Sequence, residues 1–350
     1  METFRCSVCA QLLFFDNSVC LGCRSPVGYV VDAGAVLALR VDGAALVRAD
    51  GEPGEYRHCR NQLAARCNWL IANDDANSLC ASCRLTSVRP NDSELEVMDA
   101  FANAESAKRR LIYQLRALGL PVIDRATDPL RGVTFELLSS RRRAVTTGHD
   151  GGVITLDLSE SDDAHREFVR QQLGEPYRTV LGHLRHEIAH YYWPLLVLDQ
   201  GWINEYRRLF GDETEPYDVA LGRHYQQLAG QQGPGFDWSL SYVSQYATMH
   251  PWEDWAETFA HYLHIDAGLA TARSFGVEVG EPSQSAGATA VRSDVELSIA
   301  PVVRDWLVLT LALNGVSRSL GQSDLYPFVL PPRVVEKLDF VHRVVATATK

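Results

Sequence analysis

Apolar side chains recur at helical spacing over long stretches of the chain and fall into β-rich runs over two short ones. Leu95, Met98 and Phe101, then Leu111, Ile112, Leu115 and Leu118, keep a period of about 3.6 residues and predict one amphipathic helix. Ser93 followed by Glu96 has the form of a capping box at its start, and Gly119 with Pro121 ends it. Lys108, Arg109 and Arg110 are expected on its outer, solvent side. The runs GVTFELL (132–138) and GVITLDL (152–158), joined by a link ending in HDGG, predict two strands of a small sheet. A further helix is expected after Pro176, with Val180, Leu181, Leu184 and Ile188 as its apolar face and Pro194 as its end or kink. Residues 277–296, rich in Gly, Ser, Ala and Glu, read as a surface loop.

The turn formers Pro90, Asn91 and Asp92 mark a boundary, dividing the chain into a first unit, 1–90, and a second, 91–350. A length of 350 residues with 46% hydrophobic side chains supports two domains and at least one sizeable core. No run of about 18 apolar residues is present to span a bilayer. The start METFRCSVC has Glu2 and cysteines where a signal peptide has basic and apolar regions, so a cytoplasmic protein without a membrane partner is expected. The net charge of -11 lies beyond residue 90: the first unit carries nine arginines, no lysine and nine acidic residues, and the remainder 24 basic against 35 acidic. Tight nonspecific nucleic-acid binding needs clustered Lys and Arg, so nucleic acid is not an expected partner. The basic run at 141–143 reads as a solvated turn.

All eight cysteines precede residue 84: Cys6 and Cys9, Cys20 and Cys23, Cys59 and Cys67, Cys80 and Cys83. Three of these pairs are CxxC, a spacing that lets a tight turn aim two thiolates at one ion, and four thiolates close a tetrahedral zinc site. The simplest assignment is sequential, with Cys6, Cys9, Cys20 and Cys23 around one structural zinc and Cys59, Cys67, Cys80 and Cys83 around a second. A cross-braced arrangement stays open, although the residues between Cys23 and Cys59 leave room for a strand pair that would separate the two sites. Disulfides would require an oxidising compartment. His58, beside Cys59, reads as a surface residue rather than a ligand.

In HLRHEIAHYYW (183–193), His186 and His190 lie four residues apart and share one helix face, so both can direct a ring nitrogen to one ion. Glu187, turned about 100° from His186, would stand beside the ion, where a carboxylate can take a proton from the attacking water. A third ligand is needed. The metzincin pattern demands Gly and His where this chain has Trp193 and Leu196, which excludes that class. The stretch HPWEDWAETFAHYLH (250–264) offers Glu253 and Glu257 on a helix packed by Trp255, Phe259 and Leu263. His183, one turn before His186, reads as a wall of the cleft; His250, His261 and His264 read as hydrogen-bonded structural histidines.

The ExxAExF pattern of that second stretch resembles the third-ligand helix of glutamate-type zincins, in particular the lethal-factor-type toxin proteases. The resemblance implies Glu253 as ligand and Glu257 as the outer carboxylate that holds a ring N–H of His186 or His190; the reversed assignment stays open. It also implies that Tyr246 stabilises an oxyanion, against plain packing within the aromatic run YVSQYATMHPW. Over nearly the whole chain, CSVC, CLGC, CNWL, CASCRL, HLRHEIAHYYW and HPWEDWAETFAHYLHI resemble the bacterial zinc-binding metallopeptidases that carry an N-terminal zinc-ribbon domain.

The expected fold is therefore α+β: a small β module of twin zinc ribbons, then a mainly helical, gluzincin-like zincin domain with a small sheet. One catalytic and two structural Zn2+ ions, a protein or peptide substrate, and a ribbon module for recognition of substrate or partner, or for regulation, follow from that reading. The competing reading is a protein-binding module on a zincin scaffold, which would have no need of Glu187. A protease acting on proteins at nucleic acid shares the combination of motifs but lacks a basic patch.

Overall fold

The computed structural model describes residues 3–141, 143–173, 177–228, 237–280 and 298–348. β1 (Phe4–Arg5) and β2 (Leu12–Leu13) pair antiparallel around the first CxxC turn, and the second turn follows β2. In both turns the residue after the second cysteine is left-handed, with φ of 60° at Ala10 and 65° at Arg24. Its amide closes back on the first cysteine's carbonyl, at 2.8 Å to Cys6 and 2.9 Å to Cys20. The left-handed residue costs roughly 1–2 kcal/mol, and in return both thiols of the turn face one side.

β3 (Val27–Val30), β4 (Ala35–Asp42), β5 (Ala45–Arg48), β6 (Glu55–His58) and β7 (Leu70–Ala72) form an antiparallel sheet in chain order. Tyr29 bridges to Trp69, and its amide donates to the Asn68 carbonyl at 3.0 Å, so the first and last strands meet and the sheet curls into a small barrel. Gly28 permits this approach: a Cβ there would lie 2.8 Å from the Asn68 carbonyl oxygen. Val30, Leu39, Leu46 and Leu70 fill the barrel. The expected strand pair between the cysteine sets is thus part of a five-stranded sheet.

β8 (Thr86–Val88) begins just after Cys83, and α1 (Leu95–Ala117) precedes β9 (Thr134–Leu138), β10 (Gly148–Asp150) and β11 (Val153–Asp157). The second sheet has the order β10-β11-β9-β8, with β8, β9 and β11 parallel and β10 antiparallel at the edge. The two expected strands are β9 and β11, and HDGG makes the hairpin from β10 to β11, with φ of 51° at Gly151 and 85° at Gly152.

Two expectations about α1 are corrected. The capping box does not form: the Asn91 side chain takes the Ser93 amide at 3.0 Å and no side chain caps the helix, which starts at Leu95. Lys108 and Arg109 are buried rather than on a solvent face. Lys108 pairs with the equally buried Glu105 at 2.7 Å, and Arg109 donates to the Ala65 carbonyl at 3.2 Å. The reason is that α1 is buried on two sides, by the helical core and by the cysteine-rich unit, whose Phe15 and Tyr29 pack on its Tyr113 and are backed by Trp69. Arg110 alone of the three stays half-exposed, paired with Asp16 at 2.5 Å.

The rest is helical: α2 (Asp163–Leu173), α3 (Val180–Trp193), α4 (Ile203–Phe210), α5 (Tyr217–Leu228), α6 (Pro251–Ser274), α7 (Ala300–Ser319) and α8 (Pro332–Ala348). α3 starts where Thr179 accepts the Gly182 amide at 3.0 Å; Pro176 lies outside the described residues. At Pro194 the α-helix gives way to a wider turn over 194–198, closed by the Asp199 amide on the Pro194 carbonyl at 3.0 Å. Arg142 of the basic run and 281–296 of the expected loop also lie outside the described residues. Among the described residues no helix is long and apolar enough to cross a membrane.

Burial pushes the Glu105 carboxyl up in pKa, and Lys108 opposes that shift. Lys108→Ala should cost about 3–5 kcal/mol by stranding this carboxylate, whereas Glu105→Gln with Lys108→Met should be close to neutral. Urea denaturation checks this, and a single variant as stable as the wild type would refute the pairing.

Candidate metal centre

α3 and α6 pack side by side, with Leu184, Ile188, Tyr192, Trp255, Phe259 and Leu263 in the buried seam. The Trp255 indole N–H donates to the Ala189 carbonyl at 2.9 Å, which sets the register between the two helices. That register brings His186 and His190 of α3 opposite Glu253 and Glu257 of α6. His186 Nδ1 donates to Glu257 Oε1 at 2.7 Å, and the other Glu257 oxygen accepts the Ser244 hydroxyl at 2.6 Å. The tautomer is thereby settled, and His186 Nε2 keeps its lone pair.

That lone pair faces two more. His190 Nε2 lies 3.2 Å from His186 Nε2, and Glu253 Oε2 lies 2.9 Å from His186 Nε2 and 3.5 Å from His190 Nε2. Glu253 Oε2 is buried and accepts no hydrogen bond. Three ligand atoms converge on one point, and two imidazoles with one carboxylate are a zinc donor set. Without an ion, a proton is the remaining remedy: burial pushes the His186 pKa down, but Glu253 and Glu257 outweigh it and hold it well above the usual value. Burial likewise pushes Glu253 up, and the two histidines more than reverse that. The arrangement favours Glu253 over Glu257 as the ligand.

Glu187 is half-buried beside these groups, its carboxyl pushed up by burial and then by Glu253 and Glu257, against the pull of both histidines. Tyr246 lies with its ring 5.8 Å from that of His186, and burial together with Glu253 keeps its phenol protonated. His183 stands apart from the three ligand atoms: its buried Nδ1 lies 3.6 Å from Glu160 without a hydrogen bond, and burial takes its pKa to about 4. His250 caps α6, accepting the Trp252 amide at 3.0 Å. His261 bonds the Tyr326 hydroxyl at 2.8 Å, and His264 packs against Trp306, so neither is among the converging ligand atoms.

Sequence reasoning missed three neighbours. Tyr217 donates its hydroxyl to Glu253 Oε1 at 2.9 Å. Ser244 holds Glu257, as above. His149, on the edge strand β10, stacks on His190 with ring centroids 6.1 Å apart, while its Nε2 accepts the Gly152 amide at 3.0 Å. None sits in a spacing motif with the ligands; the HDGG turn that carries His149 was the one visible signal.

The cysteines fall into two sets, Cys6, Cys9, Cys20, Cys23 and Cys59, Cys67, Cys80, Cys83, in sequential rather than cross-braced order. All eight are free thiols. Sulfur separations of 3.6 Å (Cys6–Cys23 and Cys9–Cys20) and 3.7 Å (Cys67–Cys80) match the edge of a tetrahedron with Zn–S bonds of about 2.3 Å. The second set is wholly buried, the first has Cys9 exposed, and His58 stays outside on the surface.

Residues 97–344 match the family described as "Putative zinc-binding metallo-peptidase", and residues 3–94 match a zinc-ribbon domain family. The chain is 46% identical over 347 residues to an uncharacterized protein of Mycobacterium tuberculosis, covering 99% of this chain and 95% of that protein. An uncharacterized protein of Mycobacterium bovis matches with the same identity and coverage. No solved structure matches.

The raised His186 pKa has a thermodynamic consequence. Below that pKa a proton occupies the nitrogen an ion needs, so affinity at this centre should rise with pH by up to about tenfold per unit through neutrality. Calorimetry in buffers of different ionisation enthalpy should find about one proton released per zinc bound here at pH 7; no release would contradict the assigned network.

Proposed function

This chain belongs to the zinc-binding metallo-peptidase family, and from that premise we propose that it hydrolyses peptide bonds in protein or peptide substrates, with one zinc ion held by His186, His190 and Glu253. The observation that carries the proposal is the buried Glu253 Oε2, which has no hydrogen-bond partner and faces two imidazole nitrogens. A zinc ion held by these three ligands would supply Lewis acidity to the scissile carbonyl and to the attacking water.

The chain's own residues supply the rest. Glu187 takes the proton of the attacking water and hands it to the leaving amine; its pKa, raised by burial, suits a group that must both accept and release. Glu257 keeps His186 in the tautomer whose Nε2 can ligate. Tyr246, protonated and beside His186, is the side-chain donor for the developing oxyanion.

Four thiolates leave no open position, so the two cysteine sets are structural zinc sites in this reading, three zinc ions per chain in all. The first 90 residues have no lysine and balanced charge, which supports a protein partner, a substrate or a regulatory contact for the ribbon module rather than nucleic acid. Eight cysteines grouped as metal ligands, none in a disulfide, suit a reducing compartment, which supports the cytoplasm.

Glu187→Gln should keep zinc at the centre and lose hydrolysis of a proteome-derived peptide library by about 10²–10⁴-fold. A variant that cleaves as fast as the wild type, read by mass spectrometry of the products, would overturn the mechanism.

A further inference from the structure

We infer that Tyr217 is a positioning residue that makes Glu253 a one-oxygen ligand, an inference that rests on reading His186, His190 and Glu253 as a zinc site. The phenol of Tyr217, the first residue of α5, donates to Glu253 Oε1 at 2.9 Å, while Glu253 Oε2 faces the two histidines without a hydrogen bond. The two oxygens of one carboxylate are thus given different work.

The division matters for coordination number. A carboxylate that chelated with both oxygens would, with two imidazoles, take four positions and push a water or substrate into a fifth. Tyr217 engages Oε1, and Oε2 is the oxygen that stands 2.9 Å and 3.5 Å from the histidine nitrogens. A phenol has a single proton, and this one is spent on Glu253; the Tyr246 hydroxyl therefore donates to Tyr217 in the resting site and has to turn from it to serve an oxyanion. A chain Tyr246–Tyr217–Glu253 results, linking the side chain beside His186 to the far side of the ligand carboxylate.

The other contacts of this corner show that the bond is not needed for packing. Tyr217 is 39% exposed, and its ring lies against His250 at 5.4 Å, a contact that a phenylalanine would keep. The neighbouring Glu215 carbonyl is held separately by His250 Nε2 at 3.0 Å. Removing the Tyr217 hydroxyl therefore takes away its bonds to Glu253 and to Tyr246 and keeps the ring contact with His250.

The test compares wild type and Tyr217→Phe after a chelator has stripped this centre while leaving the ribbon zincs in place, as metal analysis verifies. Zinc and then cobalt are titrated back against a chromophoric competitor, and the melting midpoint of the stripped protein is recorded. The expected result is about 10- to 100-fold weaker zinc binding in the variant, a cobalt visible band weakened toward higher coordination, and an unchanged stripped midpoint. Equal affinity and an equal cobalt band in the two proteins would overturn the inference, and so would a lowered midpoint with unchanged affinity, the mark of a merely structural bond. If the wild type itself takes up no zinc at this centre, the reading of the site fails and the inference falls with it. If the wild type binds and the variant matches it, the inference alone fails.

Discussion

The register of α3 against α6 is the constraint from which the centre follows. Helix geometry puts His186 above His190 on one face and Glu253 above Glu257 on the other, but only a fixed register makes the four meet. The Trp255 indole on the Ala189 carbonyl and the stacked Tyr192 and Phe259 rings set it from inside the seam. Close packing admits few alternative arrangements, so a shift of one turn would part His186 Nδ1 from Glu257 and undo the tautomer.

Much of the remaining molecule serves to hold α6. Near its start, Asp254 is buried against Lys337 of α8 at 2.6 Å, a pair in which burial still takes the carboxyl up to about 7. The same ammonium donates to the Ser241 carbonyl at 2.8 Å, steadying the segment that carries Ser244 and Tyr246. In the middle of the helix, Gln114 of α1 donates to the Leu263 carbonyl at 2.5 Å and to Asp266 at 2.9 Å. At the far end, Ser274 meets Thr3 beside the first cysteine set, with 2.7 Å between hydroxyls. A helix of 24 residues, about 36 Å long, so joins the candidate catalytic centre to the zinc-ribbon unit. The second cysteine set reaches the same core through Cys83, whose sulfur lies 3.7 Å from Glu105 of α1.

What could be read in the sequence was whatever depends on short spacing. Two histidines four apart, two glutamates four apart and CxxC turns each place their atoms through one local element, and the structure brings those atoms together. What could not be read depends on contacts between distant segments. Lys108 and Arg109 looked like a solvent face because periodicity says nothing of a second partner surface, here the cysteine-rich barrel. Ser93 and Glu96 had the right letters, but Asn91 competes for the amide. Tyr217 lies 36 positions before Glu253 and reaches it only because the turn at Glu215 is tied to His250. Spacing left Glu253 and Glu257 both open as the proposed ligand; the contact that tells them apart, His186 Nδ1 on Glu257, lies between two helices.

Metal content per chain tests the central claim most directly. Elemental analysis of protein purified without added metal should give about three zinc ions for the wild type and about two for His186→Ala with His190→Ala, the two ribbon sites surviving in the variant. Two ions in both proteins would contradict the account, because the converging nitrogens and the carboxylate would then not be a zinc site.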